Sequence, residues 1–447
     1  MFALQSHAKA GPFVFSGADC AGSPPASNPA PSNPSLGLAV WPSFQAGPLH
    51  NLDLAEPAAG ATPLAASWSF QTNGNVAVAP TVVGGIAYAG SMDGCVYALD
   101  VSTGRLLWSF AADNQIMSEP VVVGGMVFFG SGNKGLGRVQ GGIVRGTGYS
   151  GVYALDAATG QQRWYAPTLG GNMTTPAYSN GLVYEVGGGK IFYAIDATSG
   201  QVRWQLPIGS YVSMSSPTLS GHIAVFGAAA PYALIGVDVQ AERIAWSVAL
   251  PTTHSGVDDV TPAVANGVAY AQIPEGSTVK RVVELAVQTD DGQTLWQHTL
   301  GVARLNLLQR ALGRGDLDAH DGEETGIATL SEGVVYVGSP GLHGLWALNA
   351  ATGAPIWSRP AAIPEGIRTP PAVAGDRLYV TSNTALYVLD ATTGAVLERT
   401  QVDRFKEGTG IMVPCTTPGP EVVGGTLLLG TGTDADTILA MPLRGLP

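Results

Sequence analysis

Asp258 and Asp259 stand side by side, four and three residues before Pro262. Arg368 stands three residues before Pro371, and Glu324 with Thr325 takes the matching place ahead of Ala328. Adjacent carboxyls repel when both ionise, so one of them is pushed towards keeping its proton, and such a pair can serve as general acid or base. A guanidinium at the same level can hold an anionic substrate. Lys134 and Arg138, inside a long insertion over 131–150, add two further cations. The expected catalytic set is Asp258, Asp259 and Glu324. The expected substrate-binding set is Arg368, Lys134 and Arg138, acting on a small anion. A structural reading competes: the same groups can pin loops through hydrogen bonds, with Arg368 neutralising the acids.

Other groups carry less. His254, just before the Asp pair, reads as an exposed loop histidine with a proton shuttle as its alternative. Asp316, Asp318, His320, Asp321 and Glu323 resemble part of a calcium loop, but their spacing departs from the EF-hand pattern, so no metal is expected. Met117, Met173 and Met214 recur at one place in successive repeats and read as channel packing. The three cysteines match no metal or haem spacing. A Cys20–Cys415 disulfide is possible if the tail folds back, and Cys95 reads as a buried small residue.

The elements that must position these groups come from a repeat. VYALDVSTGRLLW ends at Trp108, VYALDAATGQQRW at Trp164 and FYAIDATSGQVRW at Trp204, with degraded copies ending at Trp246, Trp296, Trp357 and Glu398. Each copy reads as strand, tight turn, strand, with Asp and Thr bonding the turn backbone and Gly supplying positive φ. A second phrase alternates with the first: Pro80, Pro120, Pro176, Pro217, Pro262, Ala328, Pro371 and Pro420 each open a short apolar strand. Two-residue turns such as Gly84-Gly85 and Asn266-Gly267 follow, which is a hairpin signal. Eight such units, mostly about 40–50 residues apart, make an all-β, eight-bladed propeller of four-stranded antiparallel blades. The eighth unit lacks its outer strand, and the segment around Trp68 has the sequence of one, so it is expected to close the ring. Residues 1–35 read as a Pro/Ser-rich flexible tail and 36–447 as a single propeller domain.

Two alternating sets of loops lie at opposite ends of such a ring. The blade-to-blade loops and the loops between second and third strands share one end, and the insertions 131–150, 301–325 and 400–417 fall in that set. Elaboration at one end of a rigid scaffold marks the functional side.

Bulk composition narrows the partners. Charged residues are only 12% and the net charge is −12, so a nucleic-acid partner is excluded. With 21 basic residues the chain carries little self-repulsion when carboxylates protonate, which fits an acid-exposed compartment. No apolar run is long enough to span a membrane, and Asp19 breaks the small-residue pattern that lipid anchoring at Cys20 would need. A periplasmic or extracellular location is expected, and the reading allows a homo-oligomer.

The repeated Ala-x-Asp-x-x-Thr-Gly-x-x-x-Trp phrase resembles the docking motif of pyrroloquinoline-quinone-like, quinoprotein-type propellers over about residues 64–443. That resemblance implies three kinds of function. Quinone-dependent alcohol dehydrogenases of this type use adjacent cysteines beside the cofactor and a calcium ion, and this chain has no adjacent cysteines. Pyrroloquinoline quinone with calcium is therefore expected only if the dehydrogenase alternative holds. A non-enzymatic outer-membrane assembly scaffold is the second implication. The third, ranked first, is a hydrolase similar to the acid-active tetrathionate hydrolases, with no cofactor.

Overall fold

The Asp of each repeat decides the local geometry. In the computed structural model, which describes Cys20 and residues 68–132, 136–139, 142–145, 150–251, 256–276, 279–304, 325–360, 363, 366–382, 385–401, 419–423, 426–430 and 437–442, this Asp ends the third strand of its blade. Asp100, Asp156 and Asp390 each accept both the amide and the hydroxyl hydrogen bonds of the Thr three residues on. Asn349 does the same for Thr352. The Gly that follows has positive φ, and it also has a neighbour: the Trp of the preceding blade lies flat against it. A Cβ at Gly104, Gly160, Gly200, Gly292, Gly353 or Gly394 would fall 2.5–2.8 Å from an indole carbon of Trp68, Trp108, Trp164, Trp246, Trp296 or Trp357. Only glycine admits both the turn and the ring. Each of these indoles also donates its N–H to a carbonyl of the next blade, at Val101, Ala157, Ala197, Thr289, Ala350 and Ala391, over 2.6–2.9 Å. One repeat therefore fastens two blades at once.

The glycine of the motif is replaced in blade 4. Blade 4 carries Glu242 where the others carry Gly, and Glu242 keeps the left-handed turn at φ 54°. Trp204 of blade 3 stacks on Phe192 of its own blade, with centroids 5.7 Å apart.

Eight four-stranded antiparallel sheets result. Blade 1 spans 81–111, blade 2 121–168, blade 3 177–207, blade 4 218–249, blade 5 263–304, blade 6 328–360 and blade 7 372–401. Blade 8 takes 421–442 and receives its outer strand from Trp68–Gln71, which pairs with Thr437–Pro442 in the register Trp68↔Ala440 to Gln71↔Thr437. The expected closure is thus realised, and the first and last blades leave no open sheet edge between them.

Near the axis the blades are joined by short polar bonds. The Glu119 amide donates to Thr175 Oγ1, the Thr175 amide to Ser216 Oγ and the Ser216 amide to Thr261 Oγ1, each at 2.9 Å. These four residues occupy the same place in blades 2 to 5, so the bonds form a girdle. Thr81, Thr218 and Thr329, in register on their inner strands, donate to the carbonyls of Pro120, Pro262 and Pro371 in the next blade.

The disulfide departs from expectation. Cys20 is bonded to Cys95, whereas Cys415 lies outside the described residues. Cys95 is buried, but as a cystine. Cys20 packs with Trp68 and Phe70 in the seam between blades 8 and 1, beside Leu428, Ile438, Val82 and Tyr97. Ring closure brings the tail to that seam, and a separation of 75 residues along the chain says nothing of this approach in space.

Candidate active site at the channel mouth

The loop that enters each inner strand brings one residue to a common level, three positions before the strand-opening residue. In chain order these are Ala77, Met117, Met173, Met214, Asp259, Thr325 and Arg368. The first four pack against one another in a single buried cluster, although they come from four different blades. That contact is possible only where the loops converge on the axis, so this level is the mouth of the central channel. Met92, from the second-to-third-strand loop of blade 1, packs against the same cluster and is partly exposed.

Contacts continue round the ring. The Asp258 carbonyl accepts the N–H groups of Ser213, Met214 and Ser215 at 3.2, 2.9 and 2.9 Å, tying blade 4 to blade 5. Gly256 abuts Thr325 of blade 6, where a Cβ would lie 2.9 Å from the hydroxyl oxygen. The Ile327 amide donates to the Arg368 carbonyl at 3.1 Å, tying blade 6 to blade 7. Asp258, Asp259 and Arg368 therefore lie at the same end of the ring, with the blade 6 loop between them. Asp259 is 8% exposed, while Asp258 and Arg368 are half-buried.

The adjacent acids are not equivalent. Asp258 contributes its main chain as a three-donor strap, and Asp259 takes the ring position that methionine holds in blades 2 to 4. Glu324, Lys134, His254 and the 316–323 acidic run lie outside the described residues. Arg138 lies in a short hairpin, Leu136–Val139 with Gly142–Arg145, of which only the backbone is described.

Four glutamates are buried, and three of them, Glu185, Glu284 and Glu421, had no role in the sequence reading. Glu119, Glu185, Glu284 and Glu421 are 3%, 0%, 0% and 5% exposed. Burial raises Glu185 well above the usual carboxylate range, with a hydroxyl hydrogen bond from Thr174 opposing it. Burial also raises Glu421, and the nearby Glu119 adds to the effect. Burial pushes Glu284 up to about 8, offset only in part by Gln272, whose amide N–H donates to the Gly338 carbonyl at 3.0 Å. The available signal was a lone Glu inside an apolar strand, as in LVYEV at 182–186.

The quinone expectation can be tested on the donor set. The mouth presents thioethers over blades 2 to 4, and the cystine among the described residues lies in the seam of blades 8 and 1. Among the described residues no group of three His, Cys, Asp or Glu side chains converges to hold a metal. The described ring positions of blades 5 to 7 supply one carboxylate, Asp259, one hydroxyl, Thr325, and one guanidinium, Arg368. No helix among the described residues is long and apolar enough to cross a membrane.

Comparison with known proteins agrees with this architecture. Over 426 residues the chain is 28% identical to the tetrathionate hydrolase of Acidithiobacillus ferrooxidans, covering 91% of this chain and 80% of that protein. Among solved structures, BamB from Moraxella catarrhalis superposes with a TM-score of 0.58 at 17% identity, covering 84% of this chain and 98% of BamB. Quinohemoprotein alcohol dehydrogenase ADHIIG from Pseudomonas putida HK5 gives a TM-score of 0.62 at 15% identity, covering 92% of this chain and 81% of the enzyme. At such identities the structural likenesses establish the fold alone. Residues 53–141, 131–285 and 279–441 match the repeat family described as outer membrane protein assembly factor BamB, and the chain belongs to that family of quinoprotein-type propellers.

Proposed function

We propose that this propeller is an extracytoplasmic hydrolase of a sulfur oxyanion, with tetrathionate as substrate and an acidic working range. The observation that carries the reading is the arrangement of Asp259 and Arg368 at one mouth of the channel, in a chain similar to a tetrathionate hydrolase over most of both lengths. Arg368 binds one terminal sulfonate of the dianion, joined by Lys134 or Arg138 from the inserted hairpin region. Asp259 takes a proton from water as the water oxygen attacks a substrate sulfur. One O–S bond forms, one S–S bond breaks, and the departing sulfur leaves with the electron pair. Asp258 holds the loop that carries Asp259 through its carbonyl, and Glu324 serves as the second acid that returns the proton.

Two features support the setting. The Cys20–Cys95 bond suits an oxidising compartment outside the cytoplasm. Buried glutamates with raised pKa are at home in acid, where they are neutral in the folded and unfolded chain alike. The test is tetrathionate consumption by purified protein under acidic conditions. Activity is expected in the wild type and lowered by about 10²–10⁴ in Asp259→Asn, and a fully active Asp259→Asn variant would remove that residue from the mechanism.

The family match supports a second reading, a non-enzymatic assembly scaffold. Its signature would be capture of outer-membrane assembly proteins by a chain that leaves tetrathionate intact.

A further inference from the structure

The mouth of the channel is divided. Asp259, Thr325 and Arg368 hold the ring positions of blades 5 to 7, and Met117, Met173 and Met214 hold those of blades 2 to 4. Four of the eight methionines in the whole chain meet in this one cluster. A plug needs only volume, and leucine fills volume with better-defined rotamers and less entropy lost on burial. Thioethers add polarisability and flexibility, which suit a surface that must part for a soft ligand. The three ring methionines are 2–3% exposed, whereas Met92 above them is partly exposed, so a ligand entering from the mouth meets Met92 first.

A second observation comes from the neighbouring residues. Asn172 and Ser213 directly precede Met173 and Met214, and are 1% and 8% exposed. Neither the Asn172 amide group nor the Ser213 hydroxyl has a hydrogen-bond partner among the described residues. Buried polar atoms left unpaired are costly, and such atoms beside a channel mouth point to a ligand. Both side chains can donate to oxygen.

A polythionate matches this division. Its ends are hard, strongly hydrated sulfonates, and its middle is a chain of divalent sulfur that is apolar and highly polarisable. We propose that Met117, Met173 and Met214, with Met92 over them, form the subsite for the divalent sulfur chain, and that Ser213 and Asn172 receive the sulfonate distal to Arg368. The assignment rests on the proposed reaction for its ligand class, and it makes the soft half of the mouth the part that selects for chain length.

Binding is measured at acidic pH in an Asp259→Asn background, so that ligand survives, with tetrathionate and with dithionate, a dianion of two sulfonates without divalent sulfur. The Met173→Leu/Met214→Leu variant is expected to weaken tetrathionate binding about tenfold, a loss of about 1.4 kcal/mol, and dithionate binding less than about twofold. The Ser213→Ala variant is expected to weaken tetrathionate, whose sulfur chain spans the subsite, and to change the shorter dithionate less. Leucine for methionine conserves volume, and the two single variants repeat the measurement should the double variant not fold. Unchanged tetrathionate binding, equal losses for both ligands, or no binding at all would each overturn the subsite. A wild type that hydrolyses tetrathionate beside a leucine variant that binds it normally removes the subsite and keeps the reaction. A wild type that hydrolyses nothing but binds in a methionine-dependent, chain-length-dependent way removes the reaction and keeps the subsite.

Discussion

The two arcs of the channel mouth are built on the same backbone and present opposite chemistry. Over blades 1 to 4 the ring position is Ala77, Met117, Met173 and Met214, and these side chains fill the axis by touching one another. Over blades 5 to 7 it is Asp259, Thr325 and Arg368; the Met214 amide donates to the Asp258 carbonyl where the two arcs meet, and the Ile327 amide donates to the Arg368 carbonyl. Pseudo-symmetry of the blades supplies equivalent positions, and substitution on one arc only turns a packed axis into an asymmetric site. The scaffold need not change when the chemistry does.

Removing the acid of the polar arc has the largest expected effect. Asp259→Asn should lower kcat for tetrathionate by about 10²–10⁴, the usual range for a lost general base, with its melting temperature held close to that of the wild type. Steady-state kinetics at acidic pH check this, and an Asp258→Asn variant sharpens it, because Asp258 acts through its carbonyl and should lose less.

The tail that ties blade 1 comes next. Replacing Cys20 by Ser frees a tether of 75 residues, and loop entropy puts the loss at about 4 kcal/mol, readable as a lower midpoint in denaturant. The wild type under reducing conditions should match the variant, and a variant as stable as the oxidised wild type would show that the seam of blades 8 and 1 holds without the bond.

Arg368→Ala should raise KM for the dianion about 10- to 100-fold, because a charge-assisted contact is worth roughly 1.5–3 kcal/mol, and Lys at that position should restore part of it. An unchanged KM would return Arg368 to its structural role.

Each arc also hides an acid, which allows a matched test of pH. Glu284 of blade 5 faces Tyr270, Gln272 and, in register on the next strand, His298, with burial as the main cause of its pKa of about 8. Unfolded, it ionises near 4.5, so between about pH 4.5 and 8 the unfolded chain releases a proton that the folded chain keeps. Stability is therefore full at or below about 4.5 and falls as pH rises towards 8, by up to about 1.4 kcal/mol per pH unit. Glu284→Gln should flatten that fall, and Glu185→Gln in blade 3 should do the same, since burial raises that carboxyl too. The turn aspartates work in the opposite sense. Hydrogen bonds lower Asp390, and hydrogen bonds outweigh burial to lower Asp100 and Asp156, so their contribution is present above about 3.8 and fades as pH falls below it. A melting temperature that rises steadily from pH 5 to 8 would contradict the balance.

Much of this was legible before any coordinates. The Thr-Gly-x-x-x-Trp phrase carries its own mechanism, because one glycine serves a turn and an indole from the preceding blade, and repetition of that phrase leaves few folds open. Counting back from Pro262 and Pro371 also found the ring position, since the blades are equivalent and the loops are short. The buried glutamates and Met92 were not legible. A lone Glu in a strand points to water or to the core according to pairing with its neighbours, and Met92 reaches the axis from a different loop.

The sequence by itself determined the number of blades, the closure of the ring by the segment around Trp68 and the end of the channel that carries charge, because each follows from local turns and repeats. Only the tertiary structure decided that Cys20 joins Cys95, that the Asp258 carbonyl straps blade 4 to blade 5, and that four glutamates are sealed from solvent. Those outcomes depend on which distant segments share a seam, and the order of residues along a chain does not encode proximity until the ring has closed.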